Sequence, residues 1–309
     1  LLLVIATAGY SQNDTLLRGE PDSLQNKTAI GHNDETKDTA LPFTETRIST
    51  SRYFALLGGN FKQILVKPFQ MEKMDWKYLS IAAAIGGVLS FGDETVQRFA
   101  LDLRHENEPL CHTSSIVTSF GDNYGLYTLG ALGAYGYVFK KEKMRTTVLL
   151  ASQAYITSGV LASALKFLTV RTRPSFYKPP AQAEPSFFGP FVTKNSYNGN
   201  RTNTSFPSGH TTSAFAIATV FAKQYRDRPW IPAVAYSTAT LVGLSRITEN
   251  KHWVTDVFAG AALGYITGLQ AVKNYRKHSG TQVPQKEKKA SFYLQYHYGI
   301  VMPGVVYKI

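Results

Sequence analysis

The stretch TTVLLASQAYITSGVLASAL, residues 146–165, contains no charged residue. An apolar run of that length is too long for a strand and reads as a helix. A helix that spans a bilayer needs about 20 apolar residues, and this stretch reaches that length while carrying Gln153, Tyr155 and several hydroxyl residues. Five shorter apolar segments share its composition, at 78–92, 125–139, 211–222, 230–245 and 257–272. Their Ala, Gly, Ser and Thr residues allow helix backbones to approach closely, as membrane bundles favour. The expected fold is all-α: a helical bundle with a six-helix core, embedded in a membrane. A soluble bundle is the alternative that the shorter segments leave open.

The charge distribution fits that expectation. Charged residues make up 17% of the chain, below the globular norm of about 25%, and the net charge is +12. Basic clusters at 140–145, 166–173, 223–228 and 273–289 flank apolar segments, as the loops of a membrane protein would. Nucleic acid is not an expected partner, because zinc-finger spacing, a basic helix with heptads and an aromatic RNA-binding signature are all missing. Cys111 is the only cysteine, which excludes an intrachain disulfide and any zinc site built on several cysteines.

The bundle has distinct flanks. Residues 1–8 join an apolar run to Ala6-Thr7-Ala8 and read as the remnant of a secretory signal peptide. Residues 9–50 are polar without a sustained apolar period and are expected to be a flexible leader. The helical domain is assigned to 51–272 and a charged linker to 273–290. In 291–309 apolar and polar residues alternate, so a short strand or hairpin is expected, with Pro303-Gly304 as its turn signal. The tetrapeptide Ser-Phe-Gly-Asp occurs at 90–93 and again at 119–122, a repetition read as coincidence.

Three short stretches carry chemistry. They are Lys166 to Arg173-Pro174, then Pro207-Ser208-Gly209-His210, then Ser245-Arg246 followed by His252 and Asp256. Four residues apart on a helix, His252 and Asp256 would share one face. A carboxylate bonded to one ring nitrogen fixes the tautomer and leaves the other nitrogen as a nucleophile towards phosphorus. Ser208 suits a helix N-cap, and Gly209 permits an anion to approach the free N–H groups of a helix start. His210 would then lie beside the bound group, placed to protonate a leaving oxygen. Lys166, Arg173 and Arg246 supply the cations that neutralise a phosphoryl transition state. Arg171 is read as an ordinary helix-end or interfacial charge. Each motif alone has an ordinary structural explanation: a surface ion pair, a helix-start turn, helix-end cations. Their joint occurrence in this order does not.

Together these stretches resemble the signature of the type 2 phosphatidic acid phosphatase superfamily, which also includes bacterial acid phosphatases and vanadium haloperoxidases. The resemblance covers roughly residues 78–272, with every motif position present. It implies an all-helical core, His252 as nucleophile, Asp256 as its orienting partner and His210 as general acid. Lys166, Arg173 and Arg246 would be phosphate ligands, with Ser208 and Gly209 contributing donors. It implies phosphatase activity without a metal, so no cofactor is expected.

The expected activity is hydrolysis of a phosphomonoester or diphosphate, carried by a lipid, through a phosphohistidine intermediate. The expected location is the inner membrane, with the active site facing the periplasm. A soluble periplasmic acid phosphatase is the second reading, and a vanadate-dependent haloperoxidase a more distant third. The segment 175–206 mixes prolines with aromatics and joins two motifs. It is expected to form a lid or a loop that selects the headgroup; a surface connector with its own small packed cluster is the equal alternative for a loop of this length.

Overall fold

A computed structural model describes residues 48–190, 192 and 204–279 in full, and the backbone of 290–297 and 300–307. The signal and leader expectations for 1–8 and 9–50 lie outside the described residues, apart from the last three positions. Nine α-helices occur among the described residues: α1 Thr50–Val66, α2 Lys73–Phe91, α3 Asp93–Glu106, α4 Glu108–Ser119, α5 Asn123–Val138, α6 Glu142–Thr169, α7 Gly209–Gln224, α8 Trp230–Thr248 and α9 Val254–Ser279. The six apolar segments form α2 and α5 to α9, as expected of an all-α bundle. Helices α1, α3 and α4 add to them. Helix α9 continues to Ser279, into the stretch assigned to the charged linker.

Helix α7 is the axis of the bundle, packed against α6, α8 and α9. Its contact with α9 is unusually close because α9 carries glycine at every fourth position. A Cβ on Gly260 would lie 2.7 Å from the Ser208 carbonyl oxygen, and one on Gly268 would lie 2.7 Å from that of Ala216. Small residues at this spacing remove the side-chain layer between two helices. Around this seam, Leu150, Ala154, Ala216, Val220, Val272 and Tyr275 form the apolar core. At the end of the bundle where α1 crosses, Asn60, Gln153 and Asn274 are buried, and amide bonds link all three helices. Asn60 Nδ2 donates to Gln153 Oε1 at 3.1 Å, and Asn274 Nδ2 donates to Asn60 Oδ1 at 2.9 Å. Buried amides cost free energy unless paired, and these are paired.

One described helix, α6, is long and apolar enough to cross a membrane; α2 and α3, bent by 56° at Gly92, pass the same test jointly. Helix α2 begins with a capping box, in which Glu72 N–H donates to Asp75 and the Glu72 carboxylate accepts in return. It has no buried residue, and Tyr78, Val88 and Phe91 are among its exposed apolar side chains.

The C-terminal segment is an antiparallel hairpin of β1 Ala290–His297 and β2 Ile300–Tyr307. The turn is not where it was expected: Pro303 and Gly304 lie inside β2, paired with Leu294 and Tyr293, and His297 pairs with Ile300. In a two-stranded sheet both strands are edges, where proline can sit with its missing donor facing outward.

Candidate active site

Four helix ends meet at one end of the bundle. Helix α6 delivers Lys166 in its last turn, and α8 delivers Arg246 in its last turn. Helix α7 begins at Gly209 with Ser208 as its N-cap, and α9 carries Asp256 in its first turn. Two helix N-termini therefore point at the site, and their dipoles favour an anion there. The Gly209 position approaches Lys166 closely, since a Cβ there would be 3.9 Å from Lys166 Cε.

Helix α6 ends on Val170, a β-branched residue held at φ 48 and fully buried. Left-handed backbone is an outlier for such a residue. It turns the chain sharply, so that Arg171 and Arg173 follow directly under the site. Val170 is held by two backbone bonds, its N–H to the Lys166 carbonyl and its own carbonyl to the Phe188 N–H.

His252 and Asp256 meet, though not as two positions of one helix. His252 precedes α9, in a turn whose His252 and Lys251 N–H groups both donate to the Arg246 carbonyl. Asn250, also left-handed at φ 56, forms that turn. His252 Nδ1 lies 3.4 Å from Asp256 Oδ2, a long contact that leaves Nε2 unengaged by the carboxylate. Both side chains are buried. Burial pulls the His252 pKa down to about 3 against the raising pull of Asp256, so the ring is neutral. A neutral imidazole is the nucleophilic form.

Asp256 is held from four directions. It accepts from the Trp253 N–H at 2.9 Å, from Ser205 Oγ, from Arg171 Nη1 at 2.7 Å and from the His252 side. Arg171 is thus not the helix-end charge expected from its position. It is 1% exposed and bridges Asp256 to Asp93, which is itself fully buried and also accepts from the Thr255 N–H and hydroxyl. Phe187 lies over the Arg171 guanidinium at 4.6 Å, so part of the 175–206 segment packs on the site's support. The aromatics between its described ends, at 191 and beyond, fall outside the described residues.

His210 is half-buried, its side chain 30% exposed, and its Nε2 faces Asp122 Oδ2 at 3.9 Å. The charges of Lys166, Arg173 and Arg246 all act on it, and those of Lys166 and Arg173 also act on His252. Lys166 and Arg173 thus lie within electrostatic reach of both histidines, and Arg246 within reach of His210. Arg246 Nη1 donates to Glu249 at 2.7 Å, and Lys166 Nζ donates to the Thr204 carbonyl at 2.7 Å. Arg173 Nε and Arg246 Nε are buried without a hydrogen-bond partner among the described residues. Buried donors left over in this way suit an anionic ligand. Ser208 is buried, with its hydroxyl accepting from Thr211 Oγ1 and its N–H donating to the Asp256 carbonyl.

All eight residues singled out from the sequence lie at this end of the bundle, around the cation cradle. Three more were missed: Arg171, Asp93 and Asp122. The repeated Ser-Phe-Gly-Asp was the available signal, because each copy breaks a helix at its glycine and ends in an aspartate at the site.

Comparisons with known proteins bear on the family. The profile of the PAP2 superfamily matches residues 147–279. A lipid A 1-phosphatase of Porphyromonas gingivalis is 49% identical over 65 residues, 21% of this chain and 15% of that protein. A lipid A 1-phosphatase of Rhizobium johnstonii is 30% identical over 50% of this chain and 64% of its own length. The chain thus spans less than two thirds of these two relatives. A Schizosaccharomyces pombe protein named "Probable diacylglycerol pyrophosphate phosphatase 1" is 32% identical over 57% of this chain and 67% of its own. With the His–Asp pair, the cation cradle and the two helix starts in place, the chain belongs to the PAP2 superfamily.

Proposed function

We propose that the protein is a phosphatase acting on a lipid-linked phosphate, through a phosphohistidine formed at His252 Nε2. The observation that carries this reading is a neutral, buried His252 held by Asp256, together with Arg173 Nε and Arg246 Nε, buried donors without a hydrogen-bond partner among the described residues. In the first step His210 enters as the imidazolium, its charge stabilised by the bound phosphate dianion that offsets the three cations. Nε2 of His252 attacks phosphorus, the bond to the leaving oxygen breaks, and His210 gives that oxygen its proton and becomes neutral. In the second, His210 takes a proton from water, the hydroxide oxygen bonds to phosphorus, and the phosphorus–nitrogen bond breaks to release inorganic phosphate and neutral His252. Lys166, Arg173, Arg246 and the N–H groups at the start of α7 hold the non-bridging oxygens through both steps, where charge develops.

The membrane reading rests on α6 and on the apolar surface of α2, which nothing in the described chain covers. With the bundle in the bilayer, the catalytic end faces away from the cytoplasm, the periplasmic side in a two-membrane bacterium. The lysines between α5 and α6 lie at the opposite end, in keeping with the cytoplasmic bias of basic loops. The described ends of the 175–206 segment reach the site's support, through Phe187 over Arg171 and Ser205 on Asp256, and the segment is proposed to contact the headgroup.

Lipid A 1-phosphate is the first substrate to assay, because two of the relatives carry that activity in their names. Phosphate release should be measured from lipid A, phosphatidic acid and a soluble phosphate ester, in detergent. The expected outcome is preference for a lipid; equal or better turnover of the soluble ester would refute lipid specificity.

A further inference from the structure

A cavity of about 950 Å³ lies between α5, α7 and α8, apart from the catalytic residues. One end touches Phe120 and Gly125, at the start of α5. Its wall is apolar, with Ile217 and Phe221 of α7 and Val234 of α8. The other end is lined by Lys140, Lys141 and Arg228, which are exposed to solvent and form its mouth at the far end of the bundle from His210. From Ala214 to Tyr225 the groove follows α7 for about 16 Å at 1.5 Å per residue. That is the depth of one leaflet, half of a hydrocarbon core of about 30 Å.

The mouth is basic and its acids are occupied. Asp227 pairs with Lys143 at 3.0 Å, and Glu142 pairs with Arg145. Lys140, Lys141 and Arg228 are exposed and have no ion-pair partner among the described residues. The turn that presents the two lysines is built tightly. Lys140 is left-handed at φ 51, Lys141 N–H donates to the Gly136 carbonyl at 2.9 Å, and Arg145 Nε and Nη2 hold the Gly136 and Tyr137 carbonyls. Trp230, 62% exposed, stands at the same mouth, where interfacial aromatics sit.

We propose that this groove binds an anionic phospholipid, one acyl chain lying along α7 and the phosphate held by Lys140, Lys141 and Arg228. This rests on the membrane-embedded reading given above. The lipid is not the substrate: a phosphate at this mouth is a helix length away from His252. It belongs to the opposite leaflet and fills the gap that the three helices leave.

The full chain, purified in detergent, should be titrated with dioleoyl phosphatidylglycerol and with dioleoyl phosphatidylcholine, and lipid retention read by native mass spectrometry. Phosphatidylglycerol should be retained in preference. Each surface cation contributes about 1 kcal/mol towards an anionic lipid, so the triple variant Lys140→Gln/Lys141→Gln/Arg228→Gln should bind it on the order of 100-fold more weakly. Its hydrolysis of a soluble phosphate ester should be unchanged. Thr238→Trp, which fills the exposed groove wall and keeps the cations, should also lose the lipid. Equal retention of the two lipids, or undiminished phosphatidylglycerol binding by the triple variant, overturns the proposal. So does loss of that binding in His252→Ala, which would place the lipid phosphate at the catalytic cradle. Retention of phosphatidylglycerol by a protein that hydrolyses no phosphate ester would leave this site standing and sink the phosphatase reading instead.

Discussion

Arg171 shows what a single residue can do beneath the proposed catalytic pair. Its guanidinium lies between two fully buried carboxylates, Asp93 and Asp256, and cancels part of their charge in a region that water does not reach. Removing one member of such a group leaves the others uncompensated, at a cost of about 3–5 kcal/mol. Arg171→Met should therefore lower thermal stability by that order, and adding Asp93→Asn should recover part of it. Independent, additive losses in the two variants would show that the three groups do not act as a unit. The sequence hid this triad because its members are far apart in the chain and Arg171 sits among other basic residues. The residues proposed to hold the phosphate were legible, since histidine, lysine and arginine in fixed order have few structural uses. His252 makes a pH prediction of its own. Its ring is neutral in the fold, with a pKa of about 3, while the unfolded chain takes up a proton below about pH 6.5. The stability it contributes is complete above that value and is lost as pH falls towards 3. Unfolding of His252→Gln should depend less steeply on pH over this window than unfolding of the native protein, and an equal slope would contradict the buried neutral ring.

At the scale of elements, the contact of α7 with α9 decides where the catalytic groups stand. It brings the start of α7, with Ser208 and His210, against the start of α9, with Asp256. The glycine seam permits this. A Cβ at Gly264 would lie 2.8 Å from Phe215 Cβ and 2.9 Å from Ala216 N, so Gly264→Val should push the helices apart and cost about 1–3 kcal/mol. Gly87 on α2 has nothing within 4 Å of its Cβ position, and Gly87→Ala should instead stabilise by roughly 0.5–1 kcal/mol. Thermal unfolding of the two variants checks both signs; matching effects would deny the seam its role. The six long helices were legible because their apolar runs are continuous. Helices α3 and α4 were not, because α3 is rich in charge and α4 in hydroxyl and polar residues, and they are held by packing and caps. The turn at Pro303-Gly304 was misplaced for a related reason: proline excludes a central strand but not an edge.

For the whole molecule, the fold places catalysis and surface charge at opposite ends of one bundle. Four helix ends converge on the histidines, and the turn carrying Lys140 and Lys141 lies at the far end of α5. The chemistry at the catalytic end rests on one claim, that His252 becomes covalently phosphorylated. Rapid quenching of the purified protein with a substrate labelled at its phosphate tests it most directly, followed by peptide mapping of the labelled residue. The account predicts an acid-labile, base-stable phosphohistidine at residue 252, formed and consumed at catalytic rates and missing from His252→Ala, which should retain no more than about one-thousandth of the native activity. Label on another residue, or native activity in His252→Ala, would contradict it.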